Sequence, residues 1–247
     1  MTRTAMMLLV LLSVNITASV AIADHHLSSE RLAASDRPAE DQARDADRRP
    51  ADVMSFLGVQ SSMTVLDFIA SGGYYTEVLA RWVGAEGEVH AHNPSAVLQM
   101  RGGAAERAMA ERVRRLTNIK RLDGDLTQLG VTPASFDVAM TALNFHDVYN
   151  GAGEAAAVGT LQLLASLIKP DGVIGVIDHV GIAGQENNKL HRIEEAKVRE
   201  AISKAGLVID AEADFLHNTT DSHTQGVFAG GLRGKTDRFV YRIKKPG

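Results

Sequence analysis

From Met63 onward, short runs of β-branched and apolar residues alternate with stretches whose apolar residues recur at helical spacing. That alternation admits few folds, because each strand that is followed by a crossover helix returns parallel to its neighbour. The first strand is Met63–Ile69. It runs through Ala70-Ser71-Gly72-Gly73 into a helix whose Tyr75, Val78, Leu79, Trp82 and Val83 make one apolar stripe. Glu88–His92 is a second strand, followed by a long helix to about Leu116, and Ile119–Leu122 is a third. Phe136–Leu143 and Val173–Asp178 follow, with a helix between them closed by a turn at Lys169-Pro170-Asp171-Gly172. A helix over Leu190–Ala205, a strand at Leu207–Asp210 and an alternating strand through Phe239, Tyr241 and Ile243 complete the pattern. The expected architecture is one α/β domain over residues 51–247, doubly wound about a largely parallel sheet.

Two segments precede it. Residues 1–23 combine Arg3, an apolar run over Met6–Val14 and a small-x-small site at Ala21-Ile22-Ala23, the layout of a cleaved signal peptide that would send the protein to the periplasm. Residues 24–50 hold 12 charged residues and two leucines, and read as a charged, helical leader outside the core. Asp41, Arg44, Asp45 and Arg48 share one helix face, either as a solvated, salt-bridged surface or as a lid over a neighbouring pocket. A formal net charge of −4 offers no footprint for nucleic acid, and the absence of cysteine excludes disulfides and thiolate chemistry. No later stretch is long and apolar enough to span a membrane.

Ligands of such sheets bind beyond the carboxyl ends of the strands. The glycine pattern of dinucleotide-binding proteins fails here, because its positions would fall on Ile69, Ser71 and Tyr74. The residues Val65-Leu66-Asp67-Phe68-Ile69-Ala70-Ser71-Gly72-Gly73, Asn93, Asp123-Gly124-Asp125, Phe136-Asp137-Val138 and Leu167–Gly172 instead resemble a class I S-adenosylmethionine-dependent methyltransferase. With Asn144-Phe145-His146-Asp147, Ile177-Asp178-His179 and Arg233–Phe239, the chain resembles a bacterial group of predicted methyltransferases that carry signal peptides.

The resemblance implies a Rossmann-like fold with seven strands, the last antiparallel, and S-adenosylmethionine as cofactor. Asp67, Ser71, Gly72 and Gly73 would hold its methionine end. Asn93 would face the ribose, Asp125 the adenine, and Asn144 would floor the transfer site. His146 and Asp147 are the acid/base candidates, although Asn144 and Asp147 could equally cap the following turn. Tyr74, Asp178 and His179 are expected on the side of a small-molecule substrate. Asp147, Asp178 and Asn144 could together make an oxygen-rich cation site, but the expectation is that no metal binds. His191, at the start of the helix from Leu190, reads as a surface histidine, with lining of the pocket as the alternative. Two departures from the family pattern stand out. Ile69 and Ser71 replace the first two loop glycines, and Asn93 replaces the ribose-binding acid. They favour an alternative, a degenerate methyltransferase fold serving as an exported ligand-binding module.

Overall fold

The computed structural model describes residues 30–247, so the signal-peptide segment lies outside the described residues. Helix α1 (Ala39–Arg48) and α2 (Pro50–Leu57) lead into β1 (Thr64–Phe68), α3 (Tyr74–Val83), β2 (Glu88–Asn93), α4 (Ser95–Arg115) and β3 (Ile119–Asp123). Then come β4 (Phe136–Ala142), α5 (Phe145–Ala152), α6 (Glu154–Leu167) and β5 (Ile168–Gly181). The chain closes with α7 (Asn187–Leu190), β6 (Ile193–Glu194), α8 (Glu195–Lys204), β7 (Val208–Ala213) and β8 (Arg238–Lys244).

The main sheet has the order β3-β2-β1-β4-β5-β8-β7, and β8 alone runs antiparallel to its neighbours. The expected seven strands with an antiparallel last one are therefore present. Strand side chains alternate between two cores. Val65, Val89 and Met140 pack with Leu57, Leu79, Trp82 and Met109 on one face. Leu66, Ala139 and Val176 pack with Leu161, Leu164 and Ile202 on the other. Among the described residues, no helix is long and apolar enough to cross a membrane.

Three local expectations are corrected. Lys169-Pro170-Asp171-Gly172 is not a turn outside the sheet. β5 already starts at Ile168, which pairs with Phe136 across a register shift. α4 is not continuous, since Met100–Gly103 leave helical geometry at an Arg-Gly-Gly run. The helix expected over Leu190–Ala205 is split in two. There the fully buried Arg192 donates to Val180 O at 2.9 Å and Gln225 O at 3.1 Å, and pairs with Asp221. These bonds draw Ile193 and Glu194 into β6 beside β5, an eighth strand absent from the sequence pattern.

The leader is not simply a solvated face. Asp41 and Arg37 are buried, and Leu32 belongs to the first core.

Candidate functional site

The carboxyl end of β1 is a turn of unusual backbone. Ile69 (φ 58°), Ser71 (φ 52°) and Gly73 (φ 82°) are all left-handed, a conformation that costs most side chains about 1–3 kcal/mol. Gly73 could not easily be replaced, because a Cβ there would also lie 2.9 Å from Arg112 Cδ and Met109 Cε. Leu143 and His191, at the ends of β4 and α7, are left-handed too. The four non-glycine residues among these lie toward the sheet's carboxyl edge, where ligands of such folds bind, and others such as Ser62 and Ala134 lie elsewhere.

Asn93 holds this turn in place. Fully buried at the end of β2, its Oδ1 accepts from Ser71 N at 2.7 Å and its Nδ2 donates to Ser71 O at 3.1 Å. Both ends of the amide are thus engaged by Ser71, not turned toward a ligand. Asn144 ties β4 to the same turn, donating to Ile69 O at 2.9 Å and Ala142 O at 2.7 Å. Asp67 is buried beneath, accepting from Thr76 Oγ1 at 2.6 Å. Burial raises its pKa to about 6, against the lowering influence of Thr76, Arg112 and Arg48. Asp125 is exposed and takes bonds from Thr127 N, Thr127 Oγ1 and Gln128 Nε2, so it closes its own turn.

Below the turn lies a buried ionic network that the sequence motifs did not reveal. Glu77, with no exposed surface, accepts from Arg81 at 2.9 Å, from Arg115 at 2.7 Å and from Arg112. Arg112 also donates to Gly72 O at 2.7 Å and pairs with Asp41 of α1 at 2.6 Å. α1 reaches the turn a second time. Tyr74, expected to meet substrate, is buried with its hydroxyl donated to Asp45 at 2.7 Å, while Arg48 lies 4.4 Å over its ring. The charged face is salt-bridged, as one reading had it, but it bonds Arg112 and Tyr74 of the domain and not only residues of its own helix.

At the ends of β4 and β5 the chemistry is carried by side chains. Asp178 has no exposed surface. Its Oδ2 accepts from His146 N, and its Oδ1 from His146 Nδ1 and His179 N, each at 2.7 Å. Asp147 and His191 complete the group. Asp147 Oδ1 lies 3.2 Å from both His146 Nε2 and His191 Nδ1. Burial lowers the pKa of His146, but Asp178 and Asp147 outweigh it and carry the imidazole up to about 10. The metal-free ring therefore keeps its proton at neutral pH and is poorly poised as a base. His179 is pushed down to about 3 by burial and bonds Thr236 Oγ1 through Nδ1 at 2.7 Å. Thr236 in turn lines a cavity of about 210 Å³ shared by Asp47, Arg49, His217, Lys235 and Arg238.

No protein-family model and no curated protein sequence matches the chain. Solved structures do. A SAM-dependent methyltransferase from Aquifex aeolicus superposes with a TM-score of 0.57 at 19% identity, over 78% of this chain and 88% of that one. One from Clostridium acetobutylicum ATCC 824 gives 0.55 at 13% identity, over 81% and 91%. The mitomycin 7-O-methyltransferase MmcR gives 0.56 at 16%, over 82% of this chain but only 53% of that enzyme. The chain has the fold of the class I methyltransferases.

Within this methyltransferase fold, the residues singled out in the sequence fall into two groups. Asp67, Ser71, Gly72, Gly73, Asn93 and Asn144 gather around the β1 turn, with Tyr74 under the leader. His146, Asp147, Asp178 and His179 gather at β4 and β5. Asp125 stands apart from both in its own bonding. His191 stays partly exposed, as a surface histidine would, and also joins the second group through Asp147. Only the three-dimensional split at Arg192 shows it.

Proposed function

We propose that the chain is an S-adenosylmethionine-dependent methyltransferase acting on a small molecule. One observation carries the reading: the β1 turn keeps left-handed backbone at Ile69, Ser71 and Gly73, although two of the three are not glycine. Such backbone costs free energy and persists because Asn93 and Asn144 hold it, which supports a turn shaped for a ligand.

The residues present fit the cofactor at its methionine end. Asp67 offers a carboxylate behind the turn, and α3 begins immediately after it, so both an ammonium and a carboxylate would find complementary charge there. The ribose end fits less well, because Asn93 spends both polar atoms on Ser71. When bound, the cofactor supplies an electrophilic methyl on a sulfonium. The protein's part is to hold donor and acceptor in line. Asn144 fixes the end of β4 against Ile69, and the leader covers Tyr74 and Arg112. Exported placement, drawn from residues 1–23, belongs to the same proposal. A second reading, a ligand-binding module built on the same sheet, draws support from the occupied Asn93.

Calorimetry with S-adenosylhomocysteine tests the proposal. Because Asp67 titrates near 6 in the folded protein, an ammonium beside it is favoured once the carboxyl ionises. Affinity should therefore rise about tenfold from pH 5 to pH 7 and level off above. Asp67→Asn should remove that rise. No binding at either pH would leave the binding module as the better reading.

A further inference from the structure

His146 Nε2, Asp147 Oδ1 and His191 Nδ1 form a triangle with sides of 3.2, 3.2 and 3.4 Å. Three donor atoms on a tetrahedral zinc ion, with bonds of ~2.0–2.2 Å, stand roughly 3.3–3.6 Å apart. We propose that these three side chains hold a divalent transition-metal ion, zinc by the chemistry of the donors, with a fourth position open to the substrate.

The donor set suits such an ion. Two imidazoles and one carboxylate favour zinc over magnesium or calcium, which take oxygen ligands. The surroundings are those of a ligating histidine. Nδ1 of His146 points to Asp178 at 2.7 Å, leaving Nε2 turned toward Asp147 and His191. A buried carboxylate that orients the far nitrogen of a metal-bound histidine is the usual supporting arrangement. Asp178 is in turn fixed by the backbone N–H groups of His146 and His179.

The third donor is placed with equal care. His191 sits in left-handed backbone between α7 and β6. The next residue, Arg192, is clamped by Val180 O and Asp221. His146 is buried, whereas the side chains of Asp147 and His191 are 56% and 40% exposed, so the open side of the triangle faces outward. Three protein ligands with one free corner is the pattern of reactive rather than structural zinc. The open corner would take an ionisable oxygen or sulfur of the methyl acceptor. That role rests on the methyltransferase reading; the metal site itself rests on geometry alone.

The experiment is a titration of the chelator-treated protein with zinc chloride, followed by calorimetry, and with cobalt(II), followed by visible absorption. One ion per chain and the intense spectrum of tetrahedral cobalt are expected. Asp178→Asn should weaken zinc by about 10–100-fold, and His191→Ala by more, since it removes a ligand outright. Thermal unfolding of the metal-free variants checks that each is folded, and His191→Ala removes a half-exposed side chain. Zinc binding that survives His191→Ala unchanged, or no stoichiometric binding by the parent protein, would overturn the site. S-adenosylhomocysteine binding, measured on the same samples, separates the two ideas. Zinc without S-adenosylhomocysteine binding keeps the metal site and removes the methyltransferase reading; the reverse removes only the metal.

Discussion

The two halves of the carboxyl edge are built by different means. At β1 and β2 the distinctive feature is backbone: a turn of left-handed residues, held by an amide above and an ionic network below. At β4 and β5 it is side chains: carboxylates and imidazoles gathered around a fully buried aspartate. The first half is a shape, held by hydrogen bonds to backbone atoms. The second places reactive groups whose meaning depends on distances of a few tenths of an ångström. Ile69 and Ser71 show that such a shape does not require glycine.

The largest effect should come from the network under the turn. Glu77→Gln would leave Arg81, Arg112 and Arg115 without their shared buried anion, and breaking such a pair costs about 3–5 kcal/mol. Chemical denaturation should show this loss. A drop of under 1 kcal/mol would mean that the turn does not depend on the network. Next in size is Asn93→Asp. It replaces the donor to Ser71 O with a buried oxygen facing an oxygen, so stability should fall by about 1–3 kcal/mol or more, with S-adenosylhomocysteine bound more weakly. Tighter binding with unchanged stability would return Asn93 to the ribose and break the contrast drawn here. The smallest change is Ser71→Gly. Relief of left-handed strain, ~1–2 kcal/mol, outweighs the ~0.5–1 kcal/mol entropic cost of glycine, so a gain of about 0.5–1 kcal/mol is expected in the same denaturation assay.

Asp67 also sets a pH dependence for the fold. Its pKa is about 3.8 in the ordinary range and about 6 when folded, so the native state holds an extra proton between those values. Its contribution is most favourable below the lower value, declines as pH rises through 6, and is flat beyond. Once ionised, the buried carboxylate therefore lowers stability.

Much of the fold was legible because periodicity reports burial directly. Val65 and Leu66 face opposite cores, as alternation requires. The pattern failed where a single long-range contact decided the path. Nothing near Arg192 in sequence announces Asp221 or Val180 O, and those partners break the helix expected over Leu190–Ala205. The site divides in the same way. Positions around the turn could be found from the strand-loop-helix pattern, but the bond partners of Asn93 and Asp125 could not, since an amide or carboxylate satisfies backbone and ligand with the same atoms. Glu77 was hidden because a helical glutamate ordinarily faces water.

The bonds between Asn93 and Ser71 make the end of β2 a latch for the β1 turn. A serine in left-handed backbone is held there by an amide, and an amide at the end of β2 has little to do unless that backbone is present. Because both bonds go to the backbone of residue 71, glycine there would keep them, whereas an acid at 93 would lose one whichever residue stands at 71. The latch is specific to the amide at 93 and indifferent to the side chain at 71.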